Sequence, residues 1–130
     1  MDPVRRELRD EADNLVRALQ RVGITLSYDR EGVAAVDGYV EDNRAYWDDA
    51  DRERLTGPIG AFVGECMVET YGASWHADPE RGPGIALPTG DTAFPLTKAG
   101  KHIRGDHSDG VLSFFETVGA IIAKGGITQM

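Results

Sequence analysis

Residues able to do chemistry fall into three groups in this sequence, each needing help from the fold to become a site. Glu65 and Glu69 lie four residues apart within an apolar segment, so on a helix their carboxylates approach each other. Crowded carboxylates have displaced pKa values, and such a pair can serve as a general base or hold a metal ion. His76 and Asp78 alternate around Ala77, which on a strand puts both on the face opposite Trp75. Together with Glu65 or Glu69 they define a candidate polar site. The plain alternative for each is structural: both glutamates at the wet edge of a helix, or Glu65 paired with an arginine such as Arg44, and His76 as an exposed strand histidine. The structural reading is favoured.

A second cluster of ligand-type residues is His102, Asp106, His107 and Asp109. Histidine and aspartate are metal ligands, but this spacing crosses a helix end at Gly105 and follows no standard metal motif. A charged loop between helices is favoured. The third group is the acidic run Asp48, Asp49 and Asp51 following Tyr46 and Trp47. It lacks the glycine and closing glutamate of a calcium loop, so a solvated connection is expected. With the two aromatics it makes a candidate protein-interaction patch. Cys66, the one cysteine, falls on the most apolar face of its segment and reads as a small buried hydrophobe. No glycine-rich phosphate loop in strand–loop–helix order is present, and no cofactor is implied.

The element that must position these groups is the stretch from residue 56 to 72. Thr56 can cap a helix, Pro58 suits its first turn, and Gly72 suits its C-terminal cap. Ile59, Phe62, Val63 and Cys66 share one face, with Gly60, Gly64, Met67 and Tyr71 beside it. The spacing predicts a buried central helix over 56–72. Gly60 and Gly64 each cost a helix about 1 kcal/mol against alanine, so they predict close approach by a neighbouring element.

Around it the chain reads as helices and short strands. Asp2-Pro3 opens an amphipathic helix to about residue 22, with Leu8, Leu15 and Leu19 on its apolar stripe. A second helix follows Ser27 or Asp29 and ends near Trp47. Three short strands over 73–78, 85–87 and 92–94, separated by turns, predict an antiparallel meander. Pro95 starts a helix to Gly105, with Lys98, Lys101, His102 and Arg104 towards its C-terminus. Ser108 or Asp106 caps the last helix, whose Leu112, Phe115, Val118 and Ile122 form one stripe with Val111, Phe114 and Ile121 beside it. The sum is a single α+β domain over 1–130, with an N-terminal helix over 1–22, a core over 24–125, and a three-stranded antiparallel meander packed on about five helices.

Three segments, LSYDREGVAAVDGYVEDNR, IGAFVGECMVETYGASW and FPLTKAGKHIRGDHSDGVLSFF, carry a resemblance to an uncharacterised family of small bacterial domains. Its most specific part is G-A-F-V-G-E followed by G-A-S-W. The resemblance implies a fold and no reaction.

Composition narrows the function. With 41% hydrophobic and 28% charged residues over 130 positions, the chain is an ordinary globular domain able to bury a core. Its net charge of −8 argues against nucleic acid, which needs a basic face, and suits a basic protein partner. No segment reads as a membrane span or signal peptide, so a cytoplasmic location is expected. The leading expectation is a non-enzymatic protein-binding module of adaptor or toxin-neutralising type. The alternatives are a small-molecule-binding or hydrolytic domain around Glu65, Glu69, His76 and Asp78, and a homo-oligomer joined through the first helix; monomer and homodimer both stay open.

Overall fold

The computed structural model describes residues 2–106 and 110–127. Five helices and one sheet follow in the order α1 (Pro3–Gln20), α2 (Arg30–Asn43), α3 (Asp49–Tyr71), β1 (Ser74–Asp78), β2 (Gly82–Ala86), β3 (Thr92–Ala93), α4 (Pro95–Arg104) and α5 (Val111–Ala123). The sheet is an antiparallel meander in the order β1-β2-β3, with Trp75 opposite Ile85 and Ile85 opposite Ala93. This is the expected α+β architecture.

The central helix begins seven residues earlier than Thr56. Asp48 accepts from the Asp51 amide at 2.8 Å while the Asp51 carboxylate accepts from the Asp48 amide at 3.2 Å, a reciprocal cap that satisfies two otherwise unpaired donors. The acidic run is therefore a helix start, and not the solvated connection expected of it. Thr56 is an interior residue whose hydroxyl donates to the Arg52 carbonyl at 2.8 Å, and Pro58 also lies inside the helix. An interior proline costs a helix about 3 kcal/mol, so burial must hold this one together. Residues 59–67 are all buried.

The glycines explain the burial. A Cβ on Gly60 would lie 2.6 Å from Leu96 Cα, and a Cβ on Gly64 would lie 2.2 Å from the indole ring of Trp75. Removing those two side chains lets the start of α4 and the first strand close onto α3, as the glycine spacing predicts. Gly72, at φ 67°, turns the chain from α3 into β1.

Helix α1 also lies along α3, burying Leu8, Ala12, Leu15 and Leu19 within the chain. The stripe offered as a dimer contact is thus covered internally. Val33, Val36 and Val40 of α2 and Phe115 of α5 complete the core. Helix α2 ends at Asn43, short of Trp47, because residues Arg44–Tyr46 tighten into a 3₁₀ turn. Strand β2 begins at Gly82 and includes Pro83 and Gly84, which the sequence placed in a loop. The turn before it is compact: Asp78 accepts from the amides of Glu80 and Arg81 at 2.8 and 2.9 Å, and Gly82 takes φ 80°. Among the described residues, no helix is long and apolar enough to cross a membrane.

Candidate functional site

Glu65 is completely buried, at 0% exposure, and so is not at a wet edge. One carboxylate oxygen accepts from Trp75 Nε1 at 2.8 Å, the other from Arg9 Nη1 at 3.2 Å, and Arg5 Nε stands 3.8 Å away. Pairing with an arginine is thus what the structure shows, but the arginines are those of α1 and not Arg44, the example the sequence suggested. A buried carboxylate demands paired charge and hydrogen bonds, and here both are supplied. Glu69, one turn on, is exposed and meets the same Arg9 at 3.5 Å. The two acids are thus bridged by a cation and are not left to crowd each other.

His76 is exposed, and Asp78 caps the turn after β1, which holds its carboxyl below the usual range through the Arg81 and Glu80 amides. Trp75 reaches Glu65 from the other face of the strand. The four residues of the polar-site expectation therefore do not meet. Cys66 is buried, and burial pushes its thiol well above the ordinary range. A thiol kept protonated is a poor nucleophile.

His102 is the second surprise. It is 1% exposed rather than part of a charged surface, and its Nε2 lies 2.7 Å from Glu41 Oε1. Asp37, Glu41 and His102 bring one ligand atom each within 4.8 Å of one another. Hydrogen bonding decides what this trio does. The Val111 amide donates to His102 Nδ1 at 3.3 Å, and the Leu112 amide donates to Asp37 Oδ2 at 3.0 Å. With Nδ1 an acceptor, the ring proton belongs on Nε2, where it is donated to Glu41. A metal ion on Nε2 would instead need that proton removed or moved to Nδ1, facing a backbone N–H. The trio is a cap for α5 built from other helices. Gly110 at the N-cap has no side chain of its own, and a Cβ there would lie 2.9 Å from His102 Cε1 and collide with Asp37. This replaces the expected caps: Asp106 is exposed and sits 3.6 Å from Arg104, while Ser108, with His107 and Asp109, lies outside the described residues.

In the interaction patch, Tyr46 is 86% exposed and Asp49 is fully exposed. Trp47 is half-buried with its ring 5.6 Å from Tyr39, and Asp48 and Asp51 are engaged in the α3 cap.

The feature that sequence reasoning passed over is a surface groove of about 320 Å³ between the meander, α4 and α5. Its apolar lining includes Leu87, Ala93, Phe94, Phe114, Val118 and Ile121, and its charged lining is Arg81, Lys98, Lys101 and Asp91. Arg81 places its guanidinium 3.7 Å over the Phe94 ring. The signal was present in α5. Phe114 and Ile121 form a second apolar stripe beside the one facing the core, and an apolar surface wider than one packing face needs a second neighbour. Lys98 and Lys101, read as favourable charge near a helix C-terminus, stand three apart on the α4 face that borders it.

No protein-family model, no curated protein and no solved structure matches the chain. The G-A-F-V-G-E and G-A-S-W likeness rests on those residues, and the fold accounts for them: Gly64, Glu65 and Trp75 are one packing unit.

Proposed function

We propose that this chain is a non-catalytic binding module whose ligand is an apolar group seated in the groove between the meander, α4 and α5. The observation that supports it is the apolar lining itself. Its two phenylalanines and aliphatic neighbours line a concavity of about 320 Å³, within the range of small-molecule sites, which are lined chiefly by apolar side chains with a few polar groups around them. The residues with catalytic chemistry point the same way. Glu65 and His102 have both of their polar side-chain atoms engaged by the protein, and Asp37 accepts from the Leu112 amide, which fits structural work. A cytoplasmic setting suits the single free, buried thiol.

Titration of the isotope-labelled protein with 1-decanol, followed by methyl NMR, tests the reading. Shifts should gather on Leu87, Val118 and Ile121 and disappear in Thr117→Trp, which fills the groove from α5. Shifts scattered over the surface, or none, would remove it.

A second reading keeps the ligand a protein. Tyr46, at 86% exposure and three residues before the exposed Asp49, is the outstanding bare aromatic among the described residues and suits a basic partner. A partner captured by the wild type and lost with Tyr46→Ala and Asp49→Lys would favour it over the groove.

A further inference from the structure

The groove lining has the opposite charge from the molecule that carries it. The chain as a whole bears −8, yet the lining includes three cations, Arg81, Lys98 and Lys101, against the single acid Asp91. Asp91 is already engaged: its Oδ2 accepts from Thr89 Oγ1 at 2.6 Å and from the Ile127 amide at 3.2 Å. Among the described residues none of the three cations forms an ion pair. Lys98 and Lys101 are three apart on α4, which puts both ammonium groups on one helix face. Arg81 comes from the β1–β2 turn, held by its stack on Phe94. An apolar lining that also holds cations without ion pairs matches one kind of molecule.

We infer that the groove takes a single-chain amphiphile with an anionic head. The head meets Lys98, Lys101 and Arg81, and the tail lies along Phe94, Phe114, Val118 and Ile121. A volume of about 320 Å³ lies at the small end of the range of ligand sites, which suits one short chain. The inference rests on the ligand-binding reading of the groove and adds the charge and shape of what binds.

Decanoate and 1-decanol share a ten-carbon chain and differ at the head, so their affinities for the full chain, measured by calorimetry at low and moderate salt, separate the two ideas. Decanoate should bind at least about tenfold tighter than decanol, as a charge-assisted contact requires, and added salt should narrow the gap. In Lys98→Gln/Lys101→Gln the gap should shrink to about threefold or less while decanol binding stays unchanged, which also reports that the groove is intact. Lys98→Arg/Lys101→Arg should restore the preference. Equal binding of both compounds to the wild type would overturn the anionic head and leave the groove reading standing. A preference that survives neutralisation of both lysines would also overturn it. Binding of neither compound would overturn both.

Discussion

Replacing Glu65 tests the buried charge cluster most directly, because two substitutions remove different parts of it. In Glu65→Gln the amide oxygen can still accept from Trp75 Nε1, now 2.8 Å from the carboxylate, but the charge opposite Arg9 at 3.2 Å is gone. A hydrogen bond to a charged group contributes about 1.5–3 kcal/mol. Arg9 and Arg5 retain 30% and 35% side-chain exposure and can turn towards water when their partner is neutralised. Screening of that kind lowers the figure, and the expected loss for Glu65→Gln is about 1–2 kcal/mol. Glu65→Ala also leaves the indole N–H without its acceptor, which costs a further 1–3 kcal/mol or so, and opens a void on a helix whose residues 59–67 are all buried. Its expected loss is about 3–4 kcal/mol. Urea unfolding at pH 7, followed by tryptophan fluorescence and circular dichroism, measures both. A double-mutant cycle with Arg9→Ala isolates the pair. The reasoning is refuted if Glu65→Ala costs no more than Glu65→Gln, or if the coupling to Arg9 is below about 0.5 kcal/mol.

Three other outcomes follow from the same geometry. Gly64→Ala pushes a methyl into the Trp75 ring, so urea unfolding should show a loss of about 1–3 kcal/mol, where an ordinary helix glycine would gain from alanine. Asp37→Ala removes the acceptor of the Leu112 amide and should cost about 1 kcal/mol, with hydrogen exchange fastest to rise in the first turn of α5. Acid unfolding should depend on Asp51, whose carboxyl is held below its ordinary 3.8 by the Asp48 amide and then by Arg54. A lowered folded pKa adds stability above the unfolded value and loses it as pH falls through the folded one. The wild type should therefore lose its margin over Asp51→Asn below about pH 4, measured as the difference in thermal midpoint across pH 2–7.

Much of this fold was legible because hydrophobic period and turn chemistry act locally. The stripe of α1, the proline that opens α4 and the short runs of the meander each carry their own signal. The glycines at 60 and 64 predicted close neighbours, and Leu96 and Trp75 are those neighbours. The misplaced boundaries have local causes too. A threonine two residues before a proline resembles a helix start, but the reciprocal Asp48–Asp51 cap, with Asp48 eight residues before Thr56, prevails. Gly-Pro-Gly resembles a loop, yet the Asp78 turn is tight enough to bring all three residues into β2. The site residues were hidden for a different reason. Whether Glu65 is wet or buried depends on arginines 56 and 60 positions away, and whether His102 is a surface cation or a helix cap depends on Glu41 and on the amide of Val111. No periodicity within one element encodes such partners.

The pairing of Arg5 and Arg9 with one buried acid also sets where α1 comes to rest. An apolar stripe repeating about once per turn would pack on α3 almost as well after sliding by four residues. Sliding so that residue 13 takes the place of residue 9 would bring the carboxylate of Asp13 against that of Glu65. In the observed alignment Asp13 instead accepts from Tyr28 and pairs with Arg9 at 3.2 Å, one turn further along. The charges along α1 thus work as a one-way catch: the leucines supply adhesion that tolerates a shift, and the acid at position 13 opposes the slide that would carry it to Glu65.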